Sequence, residues 1–492
     1  MIEKRPNLVY LFADQLRYQS CGFSGDPFAR TPNMDRLALQ GVNFVNATSS
    51  SPVCAPYRAS LLTGKYQSSH GLVINELRLS PNHECFGHVL TDHNYRTAYI
   101  GKWHLWANEL GNHNKVRNAF VPPGPYRLGF DDYWAGYNFN HNSYNAFYFM
   151  DTCQPIPYGD YEPNVQTDMA IQFIKDSCLK DDPFALFLSW GPPHDPWQAE
   201  NTPAEYTDMF KDIDIPLRPN YSAEQDPYAD AWGCIGDDYV NTLQDSMRGY
   251  YAQTANIDWN LGKIMEAIDQ FGIAEDTILV FTSDHGEMFG SHGRRAKNIF
   301  YEESCRVPFL LNWSGKNPAK STTDICLNTP DIMPTILSLM NLPIPSEVEG
   351  NDLSHSVYGQ SGFEPDAAFL QGMGTTAAWQ NGTEWRALRD KHYTYAVYRR
   401  DRKECLFDNI EDPYQLTNLA NAPSSRQQIK YYRDMLVERM CTLNDTFENC
   451  CWYRDHWTIS RNIIQGAKGG SHDLGKLSDI INQHHAPDVL VQ

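Results

Sequence analysis

Four apolar runs rich in β-branched and aromatic residues, each broken at its carboxyl end by a short polar motif, limit what this chain can fold into. Asn7-Leu8-Val9-Tyr10-Leu11-Phe12-Ala13 ends in Asp14-Gln15, and Thr97-Ala98-Tyr99-Ile100-Gly101 ends in Lys102-Trp103-His104. Phe184-Ala185-Leu186-Phe187-Leu188-Ser189-Trp190 runs into Gly191-Pro192-Pro193-His194, and Thr277-Ile278-Leu279-Val280-Phe281-Thr282-Ser283 into Asp284-His285-Gly286-Glu287. Runs so continuously apolar suit strands buried on both faces, as in a parallel sheet covered by helices. Helical stretches at Pro32 to Gln40 and roughly Asp245 to Phe271 separate them, so strand and helix alternate. The expected class is α/β, a large mainly parallel sheet with helices on both faces. Such sheets bind ligands at the carboxyl ends of their strands, where Asp14 falls. Lys102 and His104 flank Trp103, so on an extended backbone both point to one face.

One further motif carries chemistry. Cys54-Ala55-Pro56-Tyr57-Arg58 runs into Ala59-Ser60-Leu61-Leu62-Thr63-Gly64. It resembles the formylglycine signature of the type I sulfatases, in the alkaline phosphatase superfamily, and the four strand-end motifs resemble that family's motifs in the same order. Many members carry Asp-Asp where this chain has Asp14-Gln15. The likeness is therefore to the branch of choline sulfatases, phosphonate monoester hydrolases and many carbohydrate sulfatases.

The resemblance implies that a maturation enzyme oxidises Cys54 to formylglycine. One hydroxyl of its hydrate attacks sulfur as a nucleophile. The second then loses its proton, sulfate departs and the aldehyde returns. By the same resemblance Lys102 contacts a sulfate oxygen, Lys297 reaches the sulfate from the opposite side, and Arg58 adds positive charge. His104 holds or deprotonates the hydrate, and His194 is the general acid for the sugar oxygen. Asp14, Gln15, Asp284, His285 and an oxygen on residue 54 would hold one divalent cation. Oxygen donors make calcium the first choice, the imidazole keeps manganese open, and zinc suits the set less well.

The expected function is hydrolysis of a sulfate monoester on a saccharide, for example from a marine algal polysaccharide. Choline or aryl sulfate, or a phosphonate or phosphate ester, is the alternative within the same fold. With 40 basic and 60 acidic residues the formal net charge is −20, which disfavours nucleic acid or an anionic membrane as a partner. It also favours a chain end or short sulfated oligosaccharide over the middle of a long polyanion. Oligomerisation is left open.

Residues 1–345 read as the catalytic domain, 346–440 as a smaller C-terminal subdomain with an antiparallel sheet, and 441–492 as a tail of unknown role. The stretch from Trp106 to Glu162, with Tyr137-Asn138-Phe139-Asn140-His141-Asn142-Ser143-Tyr144 at its centre, offers aromatic faces and amides suited to sugars. No run of about twenty apolar residues could span a bilayer. Met1 to Pro6 lead straight into the first strand, so the expectation is cytoplasmic for a complete chain and periplasmic or secreted for one whose signal was removed. Twelve cysteines over 492 residues are too sparse for a disulfide scaffold.

Overall fold

The computed structural model describes residues 5–106, 115–457 and 463. Its centre is an eight-stranded sheet. The strands are β1 (Asn7–Ala13), β2 (Val42–Phe44), β3 (Arg96–Lys102), β4 (Tyr133–Tyr137), β5 (Phe184–Trp190), β6 (Thr277–Ser283), β7 (Phe309–Trp313) and β8 (Ser321–Thr323). They lie in the order β8-β2-β7-β6-β1-β5-β3-β4, and only β7 runs against the others. The four runs singled out in the sequence are thus the four adjacent central strands.

Alternation along β1 explains the layers. Val9, Leu11 and Ala13 pack with Met34 and Leu37 of α1 (Pro32–Gln40), Phe173 and Ile174 of α2 (Glu162–Ser177), and Tyr250 and Leu261 of α3 (Asp237–Gln270). Leu8, Tyr10 and Phe12 face the opposite way, against Tyr57 and Leu61 of a helix over Cys54–Thr63 and Ile336 of a helix over Thr329–Leu339. Each fully buried side chain of this size contributes about 1.5–3 kcal/mol, so two dry layers fix the register of the central strands. The helix expected from Asp245 begins at Asp237 instead. Its first two turns are mostly exposed and lack apolar periodicity, while Asp237 and Asp238 favour the helix N-terminus electrostatically.

A second sheet of four antiparallel strands is a meander of β9 (Ala368–Gly372), β10 (Trp385–Arg389), β11 (Tyr393–Tyr398) and β12 (Glu404–Asp408). One face packs under the helix Arg426–Thr442 through Leu388, Tyr395, Leu406, Ile429 and Tyr432. The other meets Met288, Phe300 and Cys305, so it supports the chain that follows the Asp284 motif. Most of the expected tail, 458–462 and 464–492, lies outside the described residues, as does 107–114 of the expected pocket wall. Residues 443–457 continue along this sheet, and buried Asp445 accepts from Arg386 Nε at 2.5 Å and Nη2 at 2.9 Å.

That ion pair is excluded from water on both sides. Asp445→Ala leaves a guanidinium buried without its partner, which costs about 3–5 kcal/mol. Chemical denaturation is expected to give a clearly lower midpoint for this variant, and an unchanged midpoint would mean that the pair is not a tether.

Candidate active site

Strand register brings the polar motifs together. Ala13 is level with Ser283 on one side and Trp190 on the other, while Gly101 is level with Ser189. Adjacent strands are about 4.8 Å apart, so Asp284, Asp14, the loop after Trp190 and Lys102 emerge in a row along one sheet edge. The chain turns sharply there. Gln15 has φ 69°, Gly101 φ 97° and His104 φ 55°. A Cβ on Gly101 would lie 2.1 Å from the Ser189 carbonyl oxygen, so only glycine fits. The strand ends at Lys102 and His104 is left-handed, so His104 reaches the site through a turn and not through strand alternation.

Cys54 opens the fully buried helix Cys54–Thr63, which ends on Gly64 in the left-handed region at φ 64°. Its side chain sits at the positive end of the helix dipole. Asn75 accepts from the Ala55 amide at 2.9 Å and so supplies the first turn with a cap. Around Cys54 Sγ stand Lys297 Nζ at 3.1 Å, His285 Nε2 at 3.2 Å and Asp14 Oδ1 at 3.5 Å. The thiol marks where an oxygen on residue 54 would sit after oxidation. Burial opposes its ionisation, but Lys297, Lys102 and His285 outweigh that and hold it well below the usual thiol range. The position favours an anion.

Ligand atoms of Asp14, Cys54, Asp284 and His285 all lie within 4.8 Å of one another. His285 Nε2 is 3.6 Å from Asp14 Oδ1 and 3.5 Å from Asp284 Oδ1. The two carboxylates repel. Burial and then the Asp14 charge raise the Asp284 pKa, while Lys102, His194 and Lys297 overcome burial to lower that of Asp14. Arg58 lies behind them, where Nη2 donates to Asp14 at 3.1 Å and Asp284 at 3.3 Å, and Nη1 donates to the Lys102 carbonyl at 2.6 Å and Ser189 Oγ at 2.7 Å. Lys102 Nζ reaches the same Asp14 Oδ2 at 2.6 Å. Gln15 turns its amide nitrogen to Glu287 Oε2 at 2.6 Å, which leaves Oε1 facing Lys297 Nζ at 2.7 Å. Two crowded carboxylates, an amide oxygen and an imidazole form a donor set that fits a divalent cation.

Opposite Cys54, His194 Nε2 is 2.9 Å from Lys297 Nζ, and His194 Nδ1 is 2.9 Å from Asp195 Oδ1. Burial and Lys297 depress the imidazole, yet Asp195 and Asp14 raise it further, to about 9. Among the described residues neither ring nitrogen of buried His104 has a well-formed hydrogen bond; the ring lies beside Cys54, with Nε2 3.5 Å from Glu76 Oε1. Cys54, Gln15, Lys297, His194, Asp195, Glu76 and Glu287 border one cavity of about 950 Å³, and Asp14, Arg58, Lys102, His104, Asp284 and His285 are buried behind that lining.

The residues missed in the sequence fall into two kinds. Ser189, Asp195 and Glu287 lie within or next to segments already singled out and carried a readable signal; Glu76 and Asn75 lie elsewhere and carried none. Phe139 and His141 of the expected wall line the cavity, and His141 stacks on His194 at 4.0 Å. Tyr137 instead turns inward to Glu162. Trp197, Trp232, Tyr239 and Arg295 complete the wall from segments the sequence did not point to.

The sulfatase family profile matches residues 6–342, and that of the N-sulphoglucosamine sulphohydrolase C-terminal region matches 290–442. An ulvan-active sulfatase of Formosa agariphila is 34% identical over 94% of this chain and 85% of its own. An endo-4-O-sulfatase of Bacteroides thetaiotaomicron is 29% identical over 88% and 91%. The solved structure of yidJ from Bacteroides fragilis superposes with a TM-score of 0.80 at 32% identity, covering 92% of this chain and 98% of that one. With profile, relatives and geometry in agreement, the chain belongs to the sulfatase family and is a sulfuric ester hydrolase of alkaline-phosphatase-like fold.

Proposed function

We propose that the protein removes sulfate from a sulfated saccharide, using formylglycine made from Cys54 and one divalent cation, calcium before manganese, held by Asp14, Gln15, Asp284 and His285. The observation that carries this is the place of Cys54 on the floor of a large cavity, with the cation ligands on one side and Lys297 and His194 on the other. A cavity of about 950 Å³ is far larger than choline or a simple aryl sulfate requires, and its aromatic wall suits sugar faces. Relatives named for activity on ulvan and as an endo-4-O-sulfatase support a saccharide substrate.

When bound, the cation supplies charge that favours an ionised oxygen at residue 54 and offsets the charge of the sulfate. The protein's own residues do the rest. Lys297 and Lys102 neutralise sulfate oxygens, and Arg58 holds Asp14 and Asp284 in place from behind. His104, whose ring lies beside residue 54, receives the second hydroxyl of the hydrate and its proton as sulfate leaves. Lys297 Nζ and His194 Nε2 lie 2.9 Å apart, so both can turn to one sulfate ester that enters beside them. Asp195 occupies Nδ1 of His194, so Nε2 faces the cavity and delivers the proton to the departing sugar oxygen. The cleaved bond is S–O, and the proton on the released alcohol comes from His194.

Four outcomes are expected. Mass spectrometry of the peptide containing residue 54 from active protein shows the aldehyde in place of the thiol, and Cys54→Ala falls to background; full activity in Cys54→Ala would end the sulfatase reading. Chelation abolishes turnover and calcium restores it in the wild type, whereas Asp284→Asn needs much more metal for partial recovery; two bound ions measured per chain would count against the single site. His194→Ala loses about a hundredfold or more on a sulfated sugar and much less on nitrophenyl sulfate, whose leaving group needs no proton. A general acid works only while protonated, so activity on the sugar falls as pH rises through the His194 pKa of about 9. Asp195→Asn removes the charge that raises it, and the pH profile should show this alkaline fall displaced to lower pH.

A further inference from the structure

We propose that Arg295 forms a second anion site in the same cavity, so that the preferred saccharide carries a further negative group, a carboxylate or a second sulfate, beside the ester that is cleaved. The proposal rests on the sulfatase reading and adds to it what the rest of the substrate must carry.

Neighbouring arginines make the contrast. Arg294 is buried and its Nη1 donates to Asp226 at 2.8 Å, which accounts for its charge. Arg295 is half-buried on the cavity wall, and among the described residues no carboxylate pairs with it. Its Nε donates to the Trp232 carbonyl at 3.2 Å and its guanidinium rests on the Tyr239 ring at 5.6 Å. Those contacts fix the plane of the fork and leave both Nη groups for a ligand. A planar fork with two parallel donors is the geometry that grips a carboxylate or sulfate. The Asp245 carboxylate on the same wall is taken by Arg248 at 3.0 Å.

The place of Arg295 sets what it would recognise. It stands two residues before Lys297, whose Nζ is 3.1 Å from Cys54 Sγ. Two residues of chain keep the two Cα atoms within about 7 Å, so both side chains start from one short stretch of wall and the second anion belongs to the same short oligosaccharide as the cleaved sulfate. The loop between them is pinned, because the Ala296 amide donates to Glu287 Oε1 at 2.8 Å. Trp232, 54% exposed on the cavity wall next to Arg295, offers an apolar face for a sugar. The remaining side chains of acidic type on the wall, Glu76, Asp195 and Glu287, would repel an anion, so Arg295 is the cation that decides where it lies.

The test compares wild type, Arg295→Ala and Arg295→Lys on four substrates: nitrophenyl sulfate, a sulfated disaccharide containing a uronic acid, its carboxyl-reduced counterpart, and a neutral disaccharide with two sulfates. Arg295→Ala is expected to lower kcat/KM on an acidic disaccharide by about ten- to a hundredfold, mostly through KM, and by at least tenfold more than on nitrophenyl sulfate. Arg295→Lys recovers part of the loss. If carboxyl reduction costs the wild type as much as Arg295→Ala does, and costs the variant nothing further, the group is a carboxylate; the same pattern for the second sulfate assigns it there. Equal losses on all four substrates, or a wild type indifferent to the second charge, would overturn the proposal while leaving the sulfatase reading intact. No sulfate release by the wild type from any substrate would overturn that reading instead. The anion site is then decided by calorimetric titration of the acidic disaccharide into wild type and Arg295→Ala, where tenfold weaker binding to the variant supports it and equal binding refutes it.

Discussion

Asp14 and Asp284 lie side by side because β1 and β6 pair in register, Ala13 opposite Ser283. That places two carboxylates in a fully buried spot where each raises the cost of ionising the other. The surroundings compensate for this: Arg58 bridges the pair from behind, Lys102 adds a second cation to Asp14, and His285 stands between them in front. The strand register therefore sets the electrostatics, and the electrostatics set where an anion and a cation can be held. Gly101 and the left-handed turns at Gln15 and His104 are the backbone adjustments that let the side chains meet.

Much of this was readable in the chain itself. The apolar runs announce the four central strands because a strand buried on both faces must be apolar throughout, and the breaks at Asp14, Lys102, His194 and Asp284 stand out against them. Short peripheral strands such as Val42–Phe44 and Ser321–Thr323 carry too few residues for any periodicity to show. The first turns of the helix Asp237–Gln270 escaped for a different reason: they are exposed, so nothing constrains their residues to a buried face. His104 was placed by alternation, but the backbone leaves the strand before it. The far wall of the cavity was illegible because Trp197, Trp232, Tyr239 and Arg295 become neighbours only once the sheet is assembled.

A net charge of −20 and a site that gathers Lys102, Lys297, His194 and Arg58 are two parts of one electrostatic arrangement. Screening confines the general acidity to about 10 Å at ordinary ionic strength. Inside the cavity the local cations dominate, and a sulfate ester meets an attractive field only after it has come close. The acidic exterior thereby discourages loose adsorption of polyanions without weakening the hold at the reacting centre.

The wall formed by Tyr239, Thr242, Asp245 and Ser246 is one end of a single helix whose middle, from Met247 to Ile268, is packed in the core. Its 34 residues extend for about 50 Å. This side of the cavity inherits the rigidity of the interior, whereas a loop lid would have to be ordered anew each time a substrate arrives. Ordering even a few residues costs about 1–2 kcal/mol each in backbone entropy. A preformed helical wall avoids that loss, so a sugar of the right shape retains more of its contact energy as affinity, and one of the wrong shape finds a surface that does not yield to it.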